Sequence, residues 1–325
     1  MNLRTVRRLA LGAAAAVLLA APSVQAADLS IGLSTWVGYG PLYIAQAKGF
    51  FKDEGLNVKL IKMEDVKTRM PALIAGRIDL AVTTIDTVLN FYSDAHPMDY
   101  VFALDDSHGG DGIVAKDTIK SVSDLKGKTV AYAEGSVSQF FLAVLLKRDG
   151  LTLKDVETQN MTAGDAGAAF VAGRVDAAVT WEPWLTRGKE AKGGHLLIDS
   201  TQTPGLITDV LVATDKMAKA HPDELKAIYR AWVKAVDWQK THVEEADKIM
   251  AKGVGGWLDD PKTFAETRAG VVYYDGPMNT AFIGTKEAPG AITKTIADAE
   301  AIGKQAGLNN VSVKPADLIA FGIVQ

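Results

Sequence analysis

Hydrophobic and polar positions in the first third of the chain alternate between short apolar runs and segments with helical spacing. The runs "DLSIGLS", "LNVKLIKM" and "IDLAVTT" are typical of strands. Between them, "PLYIAQAKGFFKDEG" can place Leu42, Ile44 and Phe50 on one helical face, and "DVKTRMPALIAGR" predicts a second helix that ends at Gly76. This alternation predicts a parallel sheet with helices on both faces.

The same order of elements returns from residue 127 onward. "KTVAYA" predicts a strand, "QFFLAVLLKRDG" a helix, "LTLKDVETQNM" a loop and a strand, and "GDAGAAFVAGR" a helix before the strand "VDAAVT". The phrase "AGRIDLAVTT" at 75–84 recurs as "AGRVDAAVTW" at 172–181. Chance is the alternative, because Ala-Gly-Arg is a common helix ending, but the match continues into the strand.

The repeat therefore predicts an α/β protein of two lobes, each a parallel-rich sheet flanked by helices. We assign residues 27–107 and 211–325 to lobe one and residues 108–210 to lobe two. Ligands of open parallel sheets bind beyond the carboxyl ends of the strands. Four segments should reach that edge, namely 36–40 and 83–86 from lobe one and 134–138 and 180–184 from lobe two. The repeated phrase is then scaffold, and the divergent endings "TID" and "WEPW" face the cleft.

The last third of the chain has mostly helical spacing. "HPDELKAIYRAWVKAVDWQKTH" places Leu225, Ile228, Trp232, Val236 and Trp238 near one face, and further helices are predicted at "VEEADKIMAKG", "DPKTFAETRAG" and "ITKTIADAEAIGKQAG". Before them, "DVLVATD" predicts a strand that returns the chain to lobe one. The aromatic residues of this region are expected to be core.

The first 26 residues have the pattern of a secretory signal peptide. Arg4, Arg7 and Arg8 precede the apolar run "LALGAAAAVLLAA", and Val24 and Ala26 occupy the small-residue positions of a cleavage site. The apolar run is too short to span a bilayer, and the arginine pair leaves the twin-arginine export route open. We expect cleavage after Ala26 and a periplasmic protein.

Composition narrows the possible functions further. The formal net charge is −4, and removal of the leader arginines makes the chain more acidic. No basic run follows residue 8, which argues against nucleic-acid binding. The chain has no cysteine, so it needs no disulfide and cannot carry a lipid on an N-terminal cysteine. A soluble monomer is the expectation.

Three motifs resemble a known family. "WVGYGPLYIAQAKGFFKDEGLNV", "AGRIDLAVTT" and "AAVTWEPW" are similar to the substrate-binding proteins of bacterial ABC importers in the nitrate, taurine and aliphatic-sulfonate class. The resemblance covers nearly the whole mature chain. It implies a type II periplasmic binding protein that closes around a small solute and delivers it to an ABC permease in the inner membrane.

An enzyme is not expected. The five histidines do not lie at metal-ligand spacing, and neither a phosphate-binding loop nor a nucleophile elbow is present. Pyrimidine synthases share the fold that the resemblance implies, but they need a cysteine-rich motif that a chain without cysteine lacks. No cofactor and no metal site is predicted, and a pyrimidine-related enzyme remains as a third reading.

The predicted cleft segments are rich in acids. Only His108 is a candidate base among them, whereas an anion site usually supplies Arg, Lys or free helix N-termini. The same acids could instead cap helices without touching a ligand. Asp106 is the most informative, because relatives often have an aromatic residue there. Asp105 should point away from the ligand if the segment is extended.

Two tryptophans complete the predicted site. Trp36 and Trp181 follow strands and could stack on a flat cation while the carboxylates accept hydrogen bonds from its N–H groups. Trp184 is expected to pack beside Pro183. The predicted ligand-binding residues are Trp36, Asp86, Asp106, Asp111, Glu134, Trp181, Glu182 and Asp209. A branch of the family associated with urea-carboxylase systems implies guanidine as the ligand. The alternatives are taurine, an aliphatic sulfonate or nitrate, with the acids as caps.

Overall fold

The computed structural model describes residues 26–255 and 260–324. Residues 1–25 lie outside them, so the signal peptide and its cleavage stay a prediction. Within the described ranges the chain forms eleven strands in two sheets. The strands are β1 (Ala27–Leu33), β2 (Leu56–Lys62), β3 (Leu80–Thr84), β4 (Met98–Ser107), β5 (Asp111–Lys116), β6 (Thr129–Tyr132), β7 (Glu157–Asn160), β8 (Ala177–Trp181), β9 (Gly194–Asp199), β10 (Thr208–Thr214) and β11 (Val271–Tyr273).

Helices cover both sheets. They are α1 (Gly40–Ala47), α2 (Phe50–Asp53), α3 (Val66–Ile74), α4 (Ile85–Phe91), α5 (Val137–Arg148), α6 (Ala163–Val171), α7 (Trp184–Lys189), α8 (Asp215–Ala220), α9 (Pro222–Thr241), α10 (Val243–Val254), α11 (Pro261–Arg268), α12 (Gly276–Ile283) and α13 (Ile292–Ala306). The helix predicted from Pro41 is two helices, because Gly49 adopts a left-handed φ of 76° between α1 and α2. None of the described helices is both long and apolar enough to span a bilayer.

Five strands of each sheet have equivalent places in the strand order. The order is β2-β1-β3-β10-β4-β11 in the first sheet and β7-β6-β8-β5-β9 in the second, so β11 is an additional edge strand. Strands β1, β2 and β3 are mutually parallel, as are β6, β7 and β8, whereas β10 and β5 run antiparallel to their neighbours. Each antiparallel strand is the one that arrives from the other sheet. The two-lobed α/β architecture is confirmed, with sheets that are mixed because of these crossover strands.

The chain crosses between the sheets twice. The first crossing lies between Ser107 at the end of β4 and Asp111 at the start of β5. The second lies between Asp199 and Thr208, so Asp209 and Val210 pair with strands of the first sheet. We therefore propose lobe boundaries at these crossings, which moves the predicted 210/211 boundary to before Thr208.

The repeated phrase forms the same junction in both lobes. Gly76 and Gly173 end α3 and α6 with φ of 65° and 70°, as expected for a left-handed helix end. The following acids then hold equivalent strands, β1 in lobe one and β6 in lobe two: the Ser30 amide donates to Asp79 at 2.7 Å, and the Thr129 amide donates to Asp176 at 3.0 Å. The repeat is scaffold, as predicted.

Helices of the last third pack on lobe one. On α9, Leu225, Ile228, Trp232 and Val236 are buried, which confirms most of the predicted face. Trp238 is only partly buried and stacks on His242 with ring centroids 4.5 Å apart. The aromatic residues here are core or surface packing and lie away from the cleft.

Candidate functional site

A small cavity lies where the carboxyl ends of the two sheets face each other. Its free volume is about 30 Å³, on a scale where one water needs ~10–15 Å³. All four predicted cleft segments contribute to its wall, which confirms their placement. The lining residues are Ser34, Trp36, Tyr39, Arg69, Thr83, Thr84, Thr87, Asp111, Ser136, Val137, Trp181 and Asp209.

Two carboxylates enter this wall from the crossover strands. Asp209 on β10 pairs with Thr84 on β3, and Asp111 on β5 pairs with Trp181 on β8. Since Thr84 and Trp181 are equivalent in the repeat, Asp209 and Asp111 occupy equivalent positions in the two lobes. They are 4% exposed each, and each lobe thus places one buried carboxyl group against the cavity.

Their surroundings disfavour the ionised form. Burial raises the pKa of Asp111 well above its usual range, and the neighbouring Asp209 raises it further. Burial also raises the pKa of Asp209, although the Tyr39 hydroxyl, which donates to its Oδ1 at 2.5 Å, and the Arg69 guanidinium oppose the rise. A bound positive charge would reverse this balance.

Two indole rings form the aromatic part of the wall. Trp36 is 4% exposed, and its Nε1 donates to Oδ1 of Asp105 at 3.2 Å. Trp181 is a lobe-two residue whose Nε1 donates to the backbone oxygen of Thr35 in lobe one at 2.8 Å. This buried hydrogen bond joins the lobes, so the structure represents a closed form.

Sequence reasoning missed Arg69, the one guanidinium that lines the cavity among the described residues. It is 4% exposed, its Nη1 donates to the Met63 oxygen at 2.5 Å, and its Nε has no partner in the described ranges. Burial lowers its pKa. The spacing of Val66, Arg69, Met70 and Leu73, all on the buried side of α3, is the signal that could have revealed it.

Asp86 lies beside the cavity as a third buried carboxyl group. It is 3% exposed, and its Oδ1 has no hydrogen-bond partner within the described part of the chain. Burial raises its pKa to about 6. Its neighbour Thr87 lines the cavity, so Asp86 is positioned to interact electrostatically with a ligand there.

Glu182 and Glu134, two of the predicted site residues, lie outside the wall, and so does the candidate base His108. Glu182 accepts hydrogen bonds from the amide and hydroxyl of Thr186 at 3.0 and 2.7 Å, which makes it a cap of α7. Glu134 forms a 2.7 Å ion pair with Lys67 of the other lobe, at half-exposed positions. His108, the predicted base, is exposed and does not line the cavity.

Asp106 requires a correction. From the sequence, Asp106 was expected to face the ligand and Asp105 to face away, but paired residues share a face of a sheet, and Asp209 pairs with Asp105. Asp106 pairs with Thr208, whose hydroxyl donates to it at 3.3 Å, and it does not line the cavity. Adjacent residues of a strand point to opposite faces, so the pairing of Asp105 with Asp209 places Asp106 on the other face of the sheet.

Trp184 behaves as predicted. Its ring packs over Gly164 of α6, where an added Cβ would stand 3.1 Å from Cε2, and its own Cβ packs against Gly167. It therefore contributes to lobe-two packing and not to the cavity.

The site has the composition of a binding cleft: buried carboxylates, two indoles, one guanidinium and several hydroxyls from both lobes. Among known proteins, the taurine-binding periplasmic protein of Escherichia coli (strain K12) is 26% identical over 308 residues, covering 90% of this chain and 91% of that protein. A candidate aliphatic sulfonates-binding protein of Bacillus subtilis (strain 168) is 29% identical over 233 residues, which cover 70% of each chain.

Solved structures share the fold. The alkanesulfonate-binding protein SsuA from Xanthomonas axonopodis pv. citri, bound to MOPS, superposes with a TM-score of 0.73 at 19% identity, covering 90% of this chain and 98% of that chain. This likeness confirms the periplasmic-binding-protein fold. Residues 36–246 match the family described as NMT1/THI5 like. The chain therefore belongs to the NMT1/THI5-like family.

Proposed function

We propose that this protein is the periplasmic solute-binding component of an ABC importer and captures a small cationic nitrogen compound, with guanidine as the best candidate. The observation that carries the proposal is the pair of buried carboxyl groups, Asp111 and Asp209, that the crossover strands place in one closed cavity. The protein would act as a monomer with a membrane permease as its partner and without catalysis.

The charge balance of the cavity supports a positively charged guest. Asp111, Asp209 and the adjacent Asp86 are opposed by Arg69 alone among the described cavity residues. Leaving a buried carboxylate without a counter-charge is costly, whereas a charged hydrogen bond contributes ~1.5–3 kcal/mol. A guanidinium ion is permanently charged and carries N–H donors around its whole edge, so it can satisfy carboxyl groups from both lobes.

Size and shape support the same ligand class. The free volume of about 30 Å³ fits a guest of few atoms, and a flat cation can lie against an indole face. Trp36 and Trp181 both line the cavity. The hydroxyls of Thr84 and Ser136 also line the cavity; each already forms hydrogen bonds within its own lobe, and its oxygen has a further lone pair that can accept an N–H group.

Taurine or an aliphatic sulfonate is the second candidate, and the relatives favour it. The similar proteins of known name bind taurine or sulfonates, and Arg69 presents an Nε without a partner among the described residues. Taurine carries both an ammonium group, suited to Asp111 and Asp209, and a sulfonate, suited to Arg69. In this arrangement Glu182 and Glu134 serve as cap and ion pair, as the structure has them.

Titration calorimetry with guanidinium, urea, taurine and nitrate separates the candidates. Urea is the matched control ligand, because it has the planar shape of guanidinium without the charge. The proposal expects guanidinium to bind at least about 100-fold more tightly than urea, since a buried charge pair contributes several kcal/mol. Tight binding of taurine with weak binding of guanidinium would establish the second candidate, and turnover of any compound would indicate an enzyme.

A further inference from the structure

Asp105 lies directly behind the aromatic wall of the cavity. It is fully buried at 0% exposure, on the face that carries Asp209. The row across the sheet runs Thr84, Asp209, Asp105 and Tyr273 on β3, β10, β4 and β11. The first two of these residues line the cavity, and Asp105 follows one strand further back.

The carboxylate of Asp105 accepts a hydrogen bond from the indole N–H of Trp36. The Nε1 of Trp36 lies 3.2 and 3.3 Å from the two carboxylate oxygens of Asp105. The backbone at Gly38 packs directly against this hydrogen bond, because a Cβ on Gly38 would stand 2.1 Å from the indole nitrogen and 2.2 Å from Oδ2 of Asp105. The indole nitrogen edge is therefore fixed in the site.

The opposite edge of the ring is fixed as well. A Cβ on Gly110 would stand 2.4 Å from Cη2 of Trp36, and Gly110 belongs to the first crossing between the lobes. The indole ring of Trp36 therefore lies in contact with the Asp105 carboxylate at one edge and with Gly110 at the other. A side chain held at both edges presents one defined face to the cavity that it lines.

The strongest electrostatic influences on Asp105 come from other acidic groups. Its titratable neighbours include the carboxyl groups Asp209, Asp106 and Asp111 and the hydroxyls of Tyr39 and Tyr273. Burial raises the pKa of Asp105 well above the usual range, and Asp209 raises it further. A buried carboxyl group in such surroundings keeps its proton until a positive charge lies nearby, so a bound cation would favour its ionised form.

We propose that Asp105 is a positioning and specificity residue: it orients Trp36 through the indole N–H and, ionised when a cation stacks on the cavity face, supplies negative charge behind the ring. The inference rests on the proposed cationic ligand. A carboxylate that accepts the indole N–H increases the electron density of the ring and so strengthens its attraction for a cation. The residue does not touch the ligand and acts through Trp36.

The test compares Asp105→Asn with Asp106→Asn by calorimetric titration of guanidinium and urea. Both substitutions remove one carboxylate from adjacent positions, and only Asp105 contacts Trp36. Asn keeps an acceptor for the indole N–H and removes the charge. We expect Asp105→Asn to weaken guanidinium binding about tenfold and to leave urea binding nearly unchanged, whereas Asp106→Asn should change neither by more than about threefold.

A double-mutant cycle with Trp36→Phe identifies the route of the effect. Phe keeps an aromatic face but cannot donate to Asp105, so the loss caused by Asp105→Asn should fall below about threefold in that background. Gly38→Ala is the second variant, because its Cβ displaces the same hydrogen bond without a charge change. It should also weaken guanidinium binding.

The outcomes separate the two proposals. If the wild-type protein binds no cationic compound, the proposed function fails and this inference falls with it. If the wild type binds guanidinium, but Asp105→Asn keeps the wild-type affinity and the wild-type preference over urea, only the role of Asp105 is overturned. Equal losses for Asp105→Asn in the wild-type and Trp36→Phe backgrounds would overturn the route through the indole.

Discussion

In the proposed function, single residues decide the charge of the solute that the cleft binds. Asp111 and Asp209 were predicted because they follow or precede strand ends, and the structure places both in the cavity wall. Arg69 could not be found by looking at loops, because it reaches the cavity from the buried side of a helix. Which of Asp105 and Asp106 lies on the face of Asp209 could not be predicted from one sequence, because the pairing of β4 with β10 sets it.

Asp111→Asn should weaken guanidinium binding by at least about 100-fold, because loss of one partner of a buried charge pair costs ~3–5 kcal/mol. The ligand-free protein should melt no earlier than the wild type at neutral pH, since burial already disfavours the carboxylate at this position. Calorimetric titration and thermal melting measure the two effects. Glu182→Gln is a control outside the cavity, and an equal loss of affinity in both variants would contradict the assignment.

At the scale of elements, the repeat explains how much of the fold the sequence could predict. The two copies of the helix–strand junction identified the strands, the lobes and the four cleft segments, because glycine ends the helix and an acid holds the neighbouring strand in both. Strand β4 was missed as an element, since its run "MDYVFALDDS" is apolar over most of its length and buried on both faces, without alternation.

The scaffold role of the repeated acids gives a prediction at this scale. Asp79→Ala removes hydrogen bonds from the Ser30 amide and hydroxyl at 2.7 and 2.6 Å, so it should lower the free energy of unfolding by ~1–3 kcal/mol. Ligand affinity should stay within about threefold of the wild type, because the residue lies at the opposite end of the strand from the cavity. Denaturant unfolding measures the first effect, and unchanged stability would show that the acid does not hold the strand.

At the scale of the whole molecule, the proposed capture of a solute depends on closure of the two lobes. The closed form is held by the buried hydrogen bond from Trp181 to Thr35 and by the half-exposed ion pair between Lys67 and Glu134. These contacts differ in their surroundings, and a buried hydrogen bond whose acceptor would be left unpaired contributes more than an exposed ion pair.

Trp181→Phe should therefore weaken ligand binding about tenfold by leaving the Thr35 oxygen unsatisfied in the closed form, at a cost of ~1–3 kcal/mol. Glu134→Gln should weaken it by no more than about fivefold. Titration gives the affinities, and small-angle scattering with saturating ligand gives the closed fraction. A larger effect of Glu134→Gln than of Trp181→Phe would show that the ion pair, not the buried bond, holds the closed form.

The buried carboxyl groups also make stability depend on pH. Burial raises the pKa of Asp86 from 3.8 to about 6, so the folded protein keeps this proton where the unfolded chain has released it. Its contribution to stability is present at low pH and is lost as pH rises through about 6, which amounts to ~3 kcal/mol. The melting temperature of the ligand-free protein should therefore fall between about pH 4 and 6, and Asp86→Asn should reduce that fall.

If buried carboxyl groups select a positively charged solute, as proposed, binding must change the number of protons that these groups hold. Guanidinium and taurine are titrated at about pH 5.5 and 8, in two buffers with different heats of ionisation, so that the calorimeter counts protons exchanged. A cation should release protons from the cavity carboxyls and bind at least about tenfold more tightly at the higher pH. Taurine binding that is tighter than guanidinium binding and that weakens as pH rises would contradict the account.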